Sequence, residues 1–269
     1  MIQKKNIIGA CFLFGAMMVA NAQGNIHVQG EGGVFTAERL ALLKNGEGGG
    51  LGNNPSTMNL YSDMRAKFGR LGEEVKLTLD DIEGSIYTNE NFTLGTLYEN
   101  GEAFKNLYLR YDAYNDEVEL KETSDTDLVR AMVKHPAYSC NMNGEDYYYL
   151  GYKDEDGVSK EGYLTPLVSG RDYVLFVKRI KVFKEGKPAK TSLDKGFPHR
   201  FLDKTEYYVS IKGDLPVYMK TKKSEVLSLF EEEDQKAVGK YIKEKHVNVG
   251  KEDDVVNLFT FANTLEKVE

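Results

Sequence analysis

Residues whose types and spacing could do chemistry occur on one predicted β-hairpin, which reads LRYDAYNDEVELK from residue 109. Asn115-Asp116 favours a two-residue turn at its tip. That register places Asp112 directly opposite Glu119, with Arg110 on the same face of the hairpin. A pair of carboxylates beside a guanidinium could bind a cation or the hydroxyls of a sugar.

The same face has a simpler interpretation, a solvated ladder of charges. Like charges directly opposite each other destabilise a strand pair, but Arg110 and Lys121 can relieve the repulsion between Asp112 and Glu119 through diagonal contacts. Exposed ion pairs contribute little to stability, so we favour this simpler interpretation. A binding role would instead appear as calcium-dependent stability that Asp112→Asn abolishes.

Aromatic residues offer a second candidate binding feature. The chain has 17 tyrosines and 13 phenylalanines but no tryptophan. Strand alternation puts Tyr148 on the face opposite its neighbours Tyr147 and Tyr149, so one exposed ring is predicted there. A glycan is therefore one possible partner, although tyrosine is also favoured on any half-buried sheet.

No residues have the spacing of a metal site. The four histidines lie in separate segments, and the chain contains neither H-x-x-x-H nor C-x-x-C. Asp154 and Asp156 precede Gly157 as in a calcium loop. An EF-hand register, however, would put Tyr152 and Tyr163 at two ligand positions, so the sequence predicts no metal.

Catalytic and cofactor motifs are equally unsupported. Residues 192–195 match S-x-x-K without its partner motifs. The glycine-rich run at 46–52 lacks the ending of a phosphate-binding loop and is better explained as a flexible connector. Cys140 has only His135 near it in sequence, and we predict a buried core thiol. We expect no catalytic residue and no cofactor.

Residues 1–22 have the parts of a secretory signal: two lysines, an apolar run and Ala-Asn-Ala. Cleavage after Ala22 would release a periplasmic or extracellular protein. A lipidated N-terminus at Cys11 is a less favoured alternative, because the apolar residues continue well beyond it. The net charge of −7 becomes −9 without Lys4 and Lys5, which disfavours nucleic acid as a partner. The mature chain has no predicted transmembrane segment.

The elements that would position these residues are predicted to be antiparallel strands. Between residues 73 and 220, runs of alternating apolar and polar residues are separated by turn pairs such as Asn100-Gly101 and Gly213-Asp214. Strands joined by tight turns must be antiparallel. The pattern predicts a β-meander, as a sandwich or a strongly curved sheet, in which only residues 128–133 are ambiguous between strand and helix.

Helical periodicity replaces this pattern after residue 221, where two or three short amphipathic helices are predicted. The fold class is therefore α+β. The predicted organisation is a signal peptide at 1–22, a glycine-rich segment with short helices at 23–72, an antiparallel β domain at 73–220 and a helical unit at 221–269.

Two motifs carry a resemblance. Residues 84–89 read GSIYTN and residues 109–119 read LRYDAYNDEVE. In that order, before a helical tail, they resemble an uncharacterised family of exported bacterial β-rich proteins with G-S-x-Y-x-N and L-R-Y-[ND]-x-Y-x-D-E-[IVM]-E patterns. Ile86 and Asp112 stand where that family commonly has proline and asparagine. The resemblance implies export and architecture and carries no catalytic residues.

We therefore expect an exported, non-enzymatic binding or structural module whose ligand is unknown. Two alternatives stay open. One is an envelope hydrolase whose site residues are scattered along the chain. The other is a protein that binds an envelope partner through its C-terminal helices or a sheet edge.

Overall fold

The computed structural model describes residues 82–187 and 196–265, together with β1 (Ala20–Asn21) and β2 (Asn25–Ile26), two short strands that pair with each other. The predictions for the signal peptide and its cleavage, for the glycine-rich segment and its helices, and for residues 192–195 otherwise lie outside the described residues.

Ten strands form a single sheet, in agreement with the predicted α+β class. Their order across the sheet is β12-β11-β10-β9-β8-β7-β3-β4-β5-β6. Neighbours pair antiparallel, except that β12 also meets β8 in a parallel pairing of Val217 with Lys153. The strands are β3 (Thr93–Glu99), β4 (Glu102–Asp112), β5 (Glu117–Lys121), β6 (Arg130–Ala131), β7 (Tyr138–Met142), β8 (Glu145–Lys153), β9 (Ser159–Ser169), β10 (Tyr173–Lys184), β11 (Arg200–Ile211) and β12 (Val217–Tyr218).

The contact between β12 and β8 shows that the sheet is strongly curved, one of the two predicted forms. The simple meander holds within β3–β6 and within β7–β12, but β7 pairs with β3 instead of β6. β6 has only two residues, whereas β3 has a free edge long enough to pair with four residues of β7. The ambiguous residues 128–133 contain the short strand β6.

Local turn chemistry explains where the chain reverses. Asn100 and Gly101 have φ of 52° and 81°, which confirms the predicted turn between β3 and β4. Asn143-Gly144 makes the same kind of turn between β7 and β8. The predicted two-residue hairpin at Gly213-Asp214 is wrong, because five residues separate the end of β11 at Ile211 from the start of β12 at Val217. The tight turn within this connection lies at Lys212 and Gly213, which adopt the positive φ values.

Three helices follow the sheet: α1 (Lys223–Leu227), α2 (Glu232–Glu244) and α3 (Glu252–Ala262). Their apolar residues pack on one face of β10 and β11 to form the larger core, as the periodicity predicts. The longest of these helices has 13 residues, and no helix in the described part of the chain is long and apolar enough to span a membrane. The core residues that the helices contribute include Val226, Phe230, Val238, Ile242, Val255, Leu258 and Phe259.

A second core lies between β3, β4, β5, β7 and β8. It contains Leu109, Tyr111 and Val118, which confirms the predicted apolar face of the hairpin. Cys140 is 1% exposed and belongs to the same cluster, which confirms the predicted buried thiol. Burial also raises the pKa of the Cys140 thiol, so it is held in the protonated form.

Candidate functional site

The predicted hairpin is present, but its register differs by two residues. Arg110 lies opposite Glu119, and Asp112 lies opposite Glu117, so the expected pairing of Asp112 with Glu119 is wrong. The reason is local. Asp112 Oδ1 accepts hydrogen bonds of 3.0 Å from the backbone N–H groups of Tyr114 and Asn115, which closes a four-residue loop. A shift of two residues leaves every side chain on its predicted face.

The polar face of this hairpin is covered, not solvated. Residues 82–92, here called the strap, run beside the end of β4, where Tyr87 forms an antiparallel bridge with Asp112, and the Tyr87 hydroxyl reaches Glu119 of β5. The strap is anchored by backbone hydrogen bonds from Ala113 to Ile86 and from Thr88 to Tyr111, and by apolar contacts of Ile86. The Arg110 guanidinium is stacked on the rings of two strap residues, 3.6 Å from the centroid of Tyr87 and 4.1 Å from that of Phe92.

Under the strap, the charged groups are satisfied by one another. Arg110 donates to Glu119 Oε2 from Nε at 3.1 Å and from Nη2 at 2.5 Å, and its Nη1 donates to the backbone oxygen of Glu90. Asp112 and Glu119 are 0% and 1% exposed. Burial raises the pKa of Asp112 to about 6; hydrogen bonds from Asn115 oppose the rise, and Glu119 adds to it. A cation or sugar site on these residues stays a prediction, and their burial leaves little room for a ligand.

The predicted aromatic residue is less exposed than expected. Tyr148 is half-buried on β8, where it pairs with Ser139 of β7 and Leu164 of β9. Tyr147 and Tyr149 point to the other face and join the second core, as the alternation predicts. A binding role for the Tyr148 ring stays a prediction.

An ion pair between a buried lysine and a partly exposed aspartate, which was not predicted from the sequence, joins the hairpin to the middle of the sheet. Lys178 Nζ on β10 lies 2.6 Å from Asp116 Oδ2 at the β4–β5 loop. Asp116 also accepts hydrogen bonds from the Tyr111 hydroxyl at 2.6 Å and from the Tyr163 backbone N–H at 3.2 Å. Burial lowers the pKa of Lys178 while Asp116 opposes that change.

Gly162 explains how this ion pair fits into the sheet. A Cβ at that position would lie 2.2 Å from Asp116 Oδ2 and 2.7 Å from Lys178 Nζ. The ion pair therefore occupies the space that a side chain at position 162 would fill. Because Lys178 is buried and Asp116 is also bound by the Tyr111 hydroxyl and the Tyr163 backbone, we interpret the pair as a link between the two halves of the curved sheet.

An open cleft of about 260 Å³ lies next to the strap and is the best candidate for a binding site. Its floor is the β10–β11 ladder, where Arg179 pairs with Thr205 and Lys181 pairs with Asp203. One wall is the strap at residues 88–89. The stacking of Arg110 on Tyr87 and Phe92 and the backbone hydrogen bonds of the strap therefore also hold this wall in place.

The second wall of the cleft comes from the β7–β8 turn and the start of β8. It presents Asn143, Glu145 and Tyr147. The Tyr147 hydroxyl donates to Glu145 Oε2 at 3.1 Å, and burial raises the pKa of that tyrosine. The positive φ that the Asn143-Gly144 turn requires thus positions an exposed amide at the rim.

The charged groups of the cleft are held in ion pairs. Arg179 Nη1 and Nη2 donate to the two oxygens of Glu252, at the start of α3, at 2.8 and 2.9 Å. This bidentate contact raises the pKa of Arg179 and lowers that of Glu252. Lys181 Nζ lies 2.7 Å from Asp203 Oδ1.

None of the residues that line the cleft was predicted as a site residue. They come from five separate stretches of sequence, and each stretch is unremarkable when taken alone. The one available signal was the Asn143-Gly144 pair, which marks a tight turn and hence an exposed side chain. In the described ranges, no group of three or more histidine, cysteine, aspartate or glutamate side chains could hold a metal ion.

Comparison with known proteins does not assign the chain to a group. No protein-family model matches it, and neither a curated protein nor a solved structure does. The resemblance carried by residues 84–89 and 109–119 therefore stays a proposal. What the protein does must be inferred from its own geometry.

Proposed function

We propose that this protein is an exported, non-enzymatic binding module that holds a small hydroxylated ligand of the saccharide class in the cleft. Export is proposed from residues 1–22 with cleavage after Ala22, and kinship with the exported β-rich family from the two motifs. The single observation that carries the binding proposal is the ring of neutral hydrogen-bonding side chains at the cleft, namely Thr88, Asn89, Asn143 and Thr205.

These four side chains suit sugar hydroxyls because amides and hydroxyls both donate and accept hydrogen bonds. All four residues are exposed, so a ligand can reach them without rearrangement of the fold. The volume of about 260 Å³ lies below the usual range for drug-sized ligands and fits a single sugar ring better than a longer chain.

The hydrolase alternative would have to use Glu145 and Asp203, the two carboxylates among the described residues that line the cleft. Glu145 already accepts a hydrogen bond from Tyr147, and Asp203 is paired with Lys181. The geometry therefore favours binding over proton transfer. The partner-binding alternative is less favoured for the C-terminal helices, because their apolar faces are packed on β10 and β11.

The test is an NMR titration of the ¹⁵N-labelled protein with common neutral monosaccharides. We expect one or more sugars to shift the amides of Asn89, Asn143 and Thr205. Thr205→Val keeps the strand-favouring shape but removes a hydroxyl, and it should weaken binding by about threefold to tenfold. Thr96→Val, which removes a hydroxyl on β3 outside the cleft, should leave the affinity unchanged.

Two results would contradict the proposal. The first is an absence of saccharide binding, or shifts confined to residues outside the cleft. The second is cleavage of a glycan into shorter products by the wild type but not by Glu145→Gln, which would support the hydrolase instead.

A further inference from the structure

We infer that the ligand of the cleft carries a carboxylate, which takes the place of Asp203 beside Lys181; this inference rests on the proposed saccharide-binding function. The ligand would then be a uronic acid or a similar acidic sugar. The basis is an asymmetry between the two partners of the ion pair on the cleft floor.

Lys181 is the fixed partner of that pair. Its side chain is only 12% exposed. Its backbone N–H donates at 3.0 Å to the Ala113 oxygen of the β4–β5 loop, so the residue is held between two parts of the sheet. The backbone bond fixes the main chain of Lys181, and the low exposure of its side chain restricts where the ammonium group can move.

Asp203 is the exchangeable partner. Its side chain is 83% exposed and contacts Lys181, its cross-strand neighbour on β10. Ion pairs with a solvated partner contribute little to stability, because the carboxylate keeps most of its hydration when it moves away. A ligand carboxylate can thus replace it at small cost, and it would occupy a position already suited to that group at 2.7 Å.

The neighbouring charges favour an anion over a cation. Arg179 is balanced by Glu252 and also lies 3.7 Å from Glu145, and Lys204 is balanced by Glu206 at 2.7 Å. Displacement of Asp203 therefore leaves Lys181 as the cation without a paired carboxylate among the described lining residues. Arg179 also has spare N–H groups, since a guanidinium has five and Glu252 accepts from two. A basic ligand would instead have to displace the largely buried lysine.

The experiment compares matched sugars that differ only at carbon 6: glucuronate with glucose, galacturonate with galactose, and mannuronate with mannose. Affinities are measured by NMR titration at low ionic strength. In at least one pair the uronate should bind about tenfold more tightly than the neutral sugar, the factor expected for a charge-assisted hydrogen bond. Lys181→Gln should remove this preference, and Lys181→Arg should keep it.

Asp203→Asn provides the sharper test. Removal of the resident carboxylate should tighten uronate binding several-fold and leave the neutral sugar nearly unchanged. Glu122→Gln is the matched control, because it makes the same change in net charge at an exposed ion pair outside the cleft and should have little effect.

The outcomes separate the two proposals. Equal affinity for uronate and neutral sugar would overturn the inference but leave saccharide binding intact. Weaker or unchanged uronate binding in Asp203→Asn would overturn the exchange of carboxylates. If no sugar of either kind binds, the proposed function fails and the inference fails with it.

Discussion

Replacement of Asp112 by asparagine should stabilise the protein at neutral pH. Asp112 is 0% exposed beneath the strap, and Asn115 Nδ2 donates to its Oδ2 at 2.7 Å. An asparagine can still accept hydrogen bonds from the backbone N–H groups of the loop through its side-chain oxygen. The amide of Asn115 then only has to rotate by half a turn, so that its oxygen accepts from the new NH₂ group.

The magnitude follows from the raised pKa of Asp112. Its pKa is about 6 in the folded protein against 3.8 for the ordinary side chain. A difference of one pKa unit corresponds to about 1.4 kcal/mol, so ionisation of this buried group costs the folded state about 3 kcal/mol. The folded state binds the Asp112 proton more tightly than the unfolded state does. Protonation of Asp112 therefore stabilises the fold at low pH, and this stabilisation is lost as the pH rises from about 4 to about 6.

The assay is urea unfolding of the wild type and Asp112→Asn between pH 3.5 and pH 7.5. The difference in unfolding free energy should be near zero at the acidic end. It should rise to about 3 kcal/mol in favour of the variant at pH 7. The difference is used because other groups, such as Glu252 with its lowered pKa, change the pH dependence of both proteins equally.

Asp156→Asn, at an exposed position in the β8–β9 turn, is the matched control and should show no such pH-dependent gain. The reasoning would be refuted if Asp112→Asn were less stable than the wild type at pH 7. A difference that stays constant across the pH range would refute it as well, because the effect would then not come from ionisation of Asp112.

Three further changes test the packing, each by urea unfolding. Asp116→Ala should cost about 3–5 kcal/mol, because it leaves Lys178 buried without its partner; a loss below about 1 kcal/mol would contradict this. Gly162→Ala should cost about 1–3 kcal/mol, since its Cβ would separate that ion pair, and the cost should shrink in the Asp116→Ala background. Gly239→Ala should stabilise α2 by about 0.5–1 kcal/mol, because its Cβ would meet Leu227 at an ordinary 3.8 Å; a loss of stability would show a hidden clash.

Features that depend on neighbouring residues were determined by the sequence alone. The Asn100-Gly101 turn, the alternation that buries Leu109 and Val118, and the apolar stripes of the three helices all appear as predicted. Each follows from backbone preferences and from burial of one face, which act over a few residues. Even the two-residue register error was local, because the Asp112 side chain binds its own loop.

Features that depend on distant residues were decided only by the tertiary structure. The sequence shows Arg110 and Glu119 as charges on a strand, and it gives the same pattern whether solvent or the strap covers them. Lys178 pairs with Asp116, which lies 62 positions away in the sequence, and the cleft combines residues from five segments. Such contacts arise because curvature of the sheet brings separate strands together, and no local propensity encodes that curvature.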